Sequence, residues 1–255
     1  MMNIKIYEKM KMIVKDCGKL IKDVSGDFDI QEKEGNNNIV TKYDVLIQQK
    51  LEEELLKLMP DAVFIGEEGD EKKESKKGYK FIVDPIDGTT NFSRNLNNSA
   101  ISVALLKDEE PIIGICYIPY TDELYEARKG FGAYLNGKKI HVSNKTLKNG
   151  IVFSGCAPYY DELRKRTLEV QCVFASIASD FRRFGSAVIE ICSVASGKAE
   201  LYFELRLMPW DFAAAGLILE EAGGVLTTME GKKPTYDGPT SLMATNGVED
   251  YLKYL

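Results

Sequence analysis

Phe81-Ile82-Val83-Asp84-Pro85-Ile86-Asp87-Gly88-Thr89-Thr90 sets two carboxylates three positions apart behind a short apolar run. The apolar run reads as a buried strand ending at Val83, and the residues behind it as a sharp turn. Pro85 fixes its own φ and restricts Asp84, while Gly88 permits positive φ. A turn of this kind aims both carboxylates, a main-chain carbonyl and a hydroxyl at one point. Mg²⁺ takes oxygen ligands in such an array and keeps waters for a substrate to displace. The plain alternative is a solvated strand-to-loop turn, where Asp, Pro and Gly are all common.

Two other segments bear on that choice. Ala62-Val63-Phe64-Ile65-Gly66 is a second short strand that delivers Glu67-Glu68 at its end. Pro209-Trp210-Asp211 opens a helical run, Phe212 to Ala222, which stops at Gly223-Gly224. Alone, Asp211 reads as an N-cap. Together, three acidic clusters at strand ends or a helix start concentrate negative charge, which is unfavourable unless a cation neutralises it.

Around these clusters the chain alternates between helical and strand periodicity. Ile6, Met10, Ile13, Val14, Cys17, Leu20, Ile21 and Val24 describe one face of a long helix. The polar stretch from Ser25 to Asn38 reads as a mobile loop, and Thr41-x-x-Asp44 as the start of a helix running to Pro60. The mixed charges between Glu67 and Tyr79 read as a solvated loop. Ala100 to Lys107, Pro111 to Tyr120, Glu123 to Lys129 and Gly132 to Val142 read as an antiparallel meander, with Asn136-Gly137 a hairpin turn. Further on come a strand at Ile151 to Ser154, helices around Asp161 to Val170 and Gly185 to Ser196, and strands at Ala199 to Glu204, Gly224 to Thr228 and Leu242 to Thr245. No internal repeat or long linker separates independent domains. The expectation is one unit, residues 1–255, with a metal-site half over about 1–145 and an α/β substrate half over about 146–255.

Composition excludes several classes. A net charge of −6, with no basic block, argues against nucleic acid or anionic lipid as partner. No apolar stretch approaches the length of a membrane span, and Lys5, Glu8, Lys9 and Lys11 interrupt any signal-peptide core, so a cytoplasmic location is expected. Five cysteines without a Cys-x-x-Cys pair fit reduced thiols, and the sequons at Asn91 and Asn144 then have no glycosylating partner. The only histidine, His141, reads as a surface strand residue, so phosphohistidine chemistry lacks material. No cysteine has arginine six positions on, which removes the thiolate loop of tyrosine phosphatases. Gly132 to Lys138 mimics a nucleotide-binding loop, but Lys139 stands where its metal-binding hydroxyl belongs.

Glu67-Glu68, Asp84 to Phe92 and Trp210-Asp211-Phe212-Ala213-Ala214-Ala215-Gly216 resemble the inositol monophosphatase family of metal-dependent, lithium-sensitive sugar-phosphate phosphatases. The likeness continues through Asn38 to Asp44, Gly130 to Gly137 and Glu220 to Gly224, and spans roughly residues 30 to 247 in order. It implies a mixed α/β (α+β) fold, the layered αβαβα sandwich of sugar phosphatases, and a homodimer. It implies two or three Mg²⁺ ions, one held by Glu67, Asp84, the Ile86 carbonyl and Thr89, another by Asp84, Asp87 and Asp211. By the same resemblance Thr89 and Asp44 relay a proton from the attacking water, although Asp44 alone reads as helix capping or first-turn charge compensation. Gly88, Thr89 and Thr90 offer backbone N–H groups to the phosphate. Glu68 supports its neighbour, and Lys33 aligns with a mobile-loop lysine or is simply a solvated charge.

The resemblance places substrate contacts at Ser186, Ala187 and Glu204, with Asp87 and Asp211 beside them. A carboxylate facing vicinal hydroxyls accepts their hydrogen bonds and rejects substrates that leave it unpaired. Ser93 to Asn98 departs from the family pattern, and Met208 stands where some relatives carry histidine. The expected activity is Mg²⁺-dependent hydrolysis of a small polyol or sugar phosphate, with myo-inositol monophosphate first. Fructose bisphosphatase and bisphosphate nucleotidase are alternatives, although Thr90-Asn91-Phe92 is less like nucleotidases. A non-catalytic phosphometabolite-binding protein on the same scaffold is the alternative from another class.

Overall fold

The computed structural model describes residues 4–22, 24, 26, 28–32, 39–69, 77–156 and 160–255. The chain begins with α1 (Ile4–Lys22), the short ladder of β1 (Gln31–Glu32) and β2 (Ile39–Val40), and α2 (Lys42–Leu58). Next come β3 (Val63–Gly66), β4 (Tyr79–Asp87), a short α3 (Thr89–Ser93), β5 (Ala100–Lys107), β6 (Glu110–Ile118), β7 (Glu123–Arg128), β8 (Ala133–Leu135) and β9 (Lys138–Ile140). The remainder is β10 (Ile151–Ser154), α4 (Asp161–Ile177), β11 (Asp180–Arg182), α5 (Ala187–Ala195), β12 (Leu201–Leu207), α6 (Pro209–Glu221), β13 (Val225–Thr227) and β14 (Thr240–Thr245).

The first seven long-range strands form one sheet in chain order, β3 to β9, and the last five form a second in the order β11-β10-β12-β14-β13. Strand alternation decides what lies on each face. In β5, Ile101, Val103 and Leu105 join Met10, Val14 and Cys17 of α1 and Ile47, Leu51 and Leu55 of α2 in one core. Ala100, Ala104 and Leu106 point the other way, into a core shared with α5, α6 and the inner face of the second sheet. β12 alternates likewise, since Tyr202 joins that middle core while Leu201 and Phe203 pack on Val170 and Phe174 of α4. The layers are therefore α1/α2, seven strands, α5/α6, five strands, α4, which is the expected αβαβα sandwich. α6 is small and apolar almost throughout because it is buried between two sheets. Gly114 of β6 leaves room for the Ala214 carbonyl of α6, and a Cβ there would collide with it.

Several boundaries differ from the sequence expectation. β4 does not end at Val83 but continues to Asp87. The expected hairpin turn is present: Gly132 to Val142 holds two strands about Asn136 and Gly137, whose φ values of 49° and 72° suit a primed turn. α4 runs past Val170 to Ile177 because Phe174, one turn on, continues its buried face. His141 is exposed but follows β9 instead of lying in it. β11 was not anticipated; it is a short, exposed edge strand pairing with Ile151–Phe153 of β10. Lys33 and most of the Ser25–Asn38 stretch lie outside the described residues, as do 70–76 of the charged loop.

Candidate active site

β4 carries the centre of the site through an irregularity in its pairing with β5. Asp84 faces Ser102 and Asp87 faces Ala100, so three steps along β4 match two along β5. In a regular strand residues three apart point to opposite faces; the extra residue of a bulge cancels that and puts both carboxylates on the α5/α6 side. Pro85 sits inside this bulge, where a missing N–H does not break the ladder. The Ile86 N–H donates to Asp84 at 3.0 Å and fixes the kink. Gly88 then turns the chain at φ 86°, hemmed by the carbonyls of Asn98 and Gly185, so any larger residue would be both strained and crowded.

Other elements bring their groups to the same point. β3 runs parallel to β4, so both strands release acidic residues at one edge, and Glu67 follows Gly66 with its N–H on the Val83 carbonyl at 3.1 Å. Gln48 of α2 bonds both the N–H and the carbonyl of Glu68, anchoring the Glu67-Glu68 corner. Asp211 is not the N-cap that its position suggested. Met208 caps α6, Pro209 occupies the first turn, and Asp211 accepts the Met208 N–H at 2.7 Å. One oxygen from each of Asp84, Asp87 and Asp211 lies within 4.8 Å of the others. Glu67 lines the same cavity beside them.

Thr89 and Asp44 are in contact: the Thr89 hydroxyl lies 3.2 Å from Asp44 Oδ1 and 3.1 Å from the Ile86 carbonyl. Asp44 also closes a capping box on α2, taking the Thr41 N–H at 2.7 Å and its hydroxyl at 2.5 Å on Oδ2. Asp44 therefore serves the α2 cap through Oδ2 and meets Thr89 through Oδ1. Burial pushes its carboxyl up to about 6, against the opposing pull of Thr41.

The acidic centre is strained electrostatically. Burial first, then Glu67, Asp87 and Asp211, holds Asp84 well above the ordinary carboxylate range. Asp211 is raised by burial and by Asp87. Asp87 reaches about 7 through burial, although Ser186 and the Val188 N–H pull it down. Among the described residues, no Lys or Arg forms an ion pair with Asp84, Asp87 or Asp211. Like charges packed this closely suit a divalent cation.

The opposite wall comes from the second half of the chain. Ser186 caps α5, its hydroxyl donating to Asp87 and accepting the Ile189 N–H, while the Val188 N–H donates to Asp87 at 2.8 Å. The start of α5 is thereby tied to Asp87, and Ala187 lines the cavity next to it. Glu204 enters from β12 and accepts the Tyr202 hydroxyl at 2.7 Å. Gly155 leaves it room, since a Cβ there would overlap the Glu204 carboxylate. Asn91 ties α3 to the Phe184 carbonyl at 2.7 Å, and Asn98, in the segment that departs from the family pattern, does so at 2.9 Å. The cavity encloses about 500 Å³.

Sequence reasoning missed four polar side chains that line this cavity, those of Tyr160, Arg183, Glu190 and Arg206. Glu190 had a signal, as a lone charge in the apolar helix Ala187–Ala195. It is buried, accepts the backbone N–H groups of Phe184 and Gly185, and is pushed by burial up to about 8. Arg206 had a weaker one, two positions beyond Glu204 on the same strand.

A layered αβαβα sandwich with buried carboxylates gathered beside a hydroxyl–carboxylate pair defines a metal-dependent phosphatase architecture. The chain belongs to the inositol monophosphatase family, whose model matches residues 5–253. It is 37% identical over 238 residues to the fructose-1,6-bisphosphatase/inositol-1-monophosphatase of Aquifex aeolicus, covering 89% of this chain and 87% of that one. It is 32% identical to the inositol-1-monophosphatase of Bacillus subtilis, over 94% and 92% of the two chains. The structure of SaIMPase-II with inositol monophosphate bound superposes with a TM-score of 0.81 at 30% identity, covering 98% of this chain and 94% of that one. No helix among the described residues is long and apolar enough to cross a membrane.

Proposed function

We propose that the protein hydrolyses small polyol or sugar phosphate monoesters with Mg²⁺, myo-inositol monophosphate among them, as a cytoplasmic homodimer. One observation carries this reading: the β4 bulge turns Asp84 and Asp87 to one side, against Asp211 and beside the Thr89–Asp44 pair. Glu67, Asp84, the Ile86 carbonyl and Thr89 would hold one ion, and Asp84, Asp87 and Asp211 a second. Such ions would supply charge for the phosphoryl and leaving oxygens and make water a stronger acid.

The remaining work belongs to the chain. Thr89 accepts the proton of the attacking water and passes its own to Asp44 Oδ1, leaving Oδ2 on the α2 cap. Backbone N–H groups of Gly88, Thr89 and Thr90 orient the phosphate. Ser186 and Val188 fix the rotamer of Asp87, and Glu204 and Ala187 meet the hydroxylated part of the substrate. The metal-site half (about 1–145) and the substrate half (about 146–255) work as one unit on this account. A protein that only binds phosphometabolites has no use for the Thr89–Asp44 contact. Phosphate release from a panel of esters, with Mg²⁺ and with excess chelator, tests the reading. Turnover with Mg²⁺ and none with chelator is expected; full activity in chelator contradicts it.

A further inference from the structure

We propose that Glu190 is a positioning residue for the carboxylate centre: it holds the Phe184–Ser186 turn in the conformation that presents Ser186 and the Val188 N–H to Asp87. The inference rests on the phosphatase reading and adds to it a residue that acts through others. Glu190 is the lone charge of α5 and is 1% exposed. Among the described residues no Lys or Arg forms an ion pair with it. An aliphatic side chain would stabilise the middle core more than an unpaired buried carboxyl does. What Glu190 contributes therefore lies in its hydrogen bonds.

Those bonds reach back past the start of the helix. Glu190 Oε1 accepts the N–H of Phe184 and, at 3.3 Å, that of Gly185. The carbonyls of the same two residues are held from the other side. Asn91 donates to Phe184 at 2.7 Å and to Gly185 at 3.3 Å, and Asn98 donates to Phe184 at 2.9 Å. The turn is thus clamped between Glu190 and two asparagines, and Ser186 is the next residue along it. Its hydroxyl faces two ways, donating to Asp87 and accepting the Ile189 N–H at 3.2 Å. With the turn pinned, that hydroxyl and the Val188 N–H meet the Asp87 carboxylate as a fixed pair. Without Glu190, the Phe184 and Gly185 N–H groups lose their acceptor, and the turn relaxes and carries Ser186 off Asp87. Asn98 lies in the Ser93–Asn98 stretch that departs from the family pattern, so that departure supplies the outer jaw of the clamp.

The test compares the wild type with Glu190→Ala, Glu190→Gln, Asn98→Ala and, as a control further along α5, Ser193→Ala. Each is assayed on myo-inositol 1-phosphate over a range of Mg²⁺, titrated with Mn²⁺ by calorimetry after chelator treatment, and followed by amide exchange over Phe184–Val188. Glu190→Ala should lower kcat about tenfold to a hundredfold with KM nearly unchanged. It should also need more Mg²⁺ for half-maximal activity, bind Mn²⁺ more weakly and exchange those amides faster. Glu190→Gln keeps an acceptor oxygen and should restore most of each reading. Asn98→Ala removes one neutral bond and should move the same readings in the same direction, by about twofold to tenfold. Ser193→Ala loses its bond to the Ile189 carbonyl and should lower Tm without moving them. Wild-type Mg²⁺ activation and Mn²⁺ affinity in folded Glu190→Ala would overturn the proposal, as would equal losses in Ser193→Ala. If Glu190→Ala does not fold, Asn98→Ala decides, and unchanged readings there overturn it. If the wild type turns over no ester, the phosphatase reading fails by itself, and Mn²⁺ affinity and amide exchange still decide the role of Glu190.

Discussion

β4 and β12 each gain a residue against a neighbouring strand, at Asp84–Asp87 and at Glu204–Leu207, and both gains fall where the strand reaches the cavity. The chemistry gathered there differs. The β4 bulge collects charge of one sign, and its members raise one another's pKa values, an arrangement that suits a bound cation. The β12 irregularity mixes signs, with Glu204 satisfied by Tyr202 and Arg206 stacked on Tyr160, so that wall stands without metal. On the proposed function, catalysis and selectivity fall to separate strands, and Ser186 and Val188 at the start of α5 link the second wall to Asp87. Changes at β4 should abolish turnover of every ester; changes at β12 should re-rank the esters.

The largest expected effect is at Asp87. Asp87→Asn removes one charge from the pair that would hold the ion next to the leaving oxygen, and kcat should fall by orders of magnitude on all substrates. Steady-state assays at saturating Mg²⁺ check it, and a loss confined to polyol esters would move Asp87 to the selectivity side. Next comes Thr89→Ala, which should lower kcat by about 10²–10⁴-fold with little change in KM. Substrate and Mg²⁺ titrations separate the outcomes, because an unchanged kcat with weaker Mg²⁺ binding would leave Thr89 a ligand and nothing more.

Glu204→Gln should act on the other side of the comparison. It keeps the shape but removes the charge that strengthens bonds from substrate hydroxyls, each worth about 1.5–3 kcal/mol, or about ten- to a hundredfold in kcat/KM. The loss should appear with inositol phosphate and be small with an aryl phosphate. Equal losses would show that Glu204 supports the carboxylate centre instead.

The smallest effect is thermal. Asp87 at about 7 and Asp44 at about 6 keep protons that the unfolded chain, with an ordinary value near ~3.9, has already released. Between those values the folded chain binds more protons, so the chelator-stripped protein loses stability as pH rises. Mg²⁺ favours the ionised carboxylates, so the gain in Tm on adding Mg²⁺ should be larger at pH 8 than at pH 5, by on the order of a few °C. Scanning calorimetry with and without Mg²⁺ measures it; an equal gain at both values would mean the cluster is not what the ion neutralises.

How much could be read in advance follows the same division. Asp84, Asp87, Gly88 and Thr89 lie in one short stretch whose residue types constrain one another, so the centre was legible locally. The bulge was not, because it is a property of β4 against β5, and the strand was expected to end at Val83. Asp44 and Thr89 are 45 positions apart, and only the family resemblance joined them before the 3.2 Å contact was seen. Asp211 read as an N-cap because Pro209 and Trp210 do not reveal that the cap is Met208. On the far wall, Arg183, Arg206, Tyr160 and Glu190 come from separate elements with no common motif. Their relation exists only once the second sheet and α5 are packed.

The account turns on Asp84 as the carboxylate shared by two ions, and the direct measurement is a calorimetric titration of Mn²⁺, standing in for Mg²⁺, into chelator-stripped protein. The wild type should bind at least two ions, Asp87→Asn should lose one site, and Asp84→Asn should lose both. Wild-type stoichiometry and affinity in Asp84→Asn would contradict it.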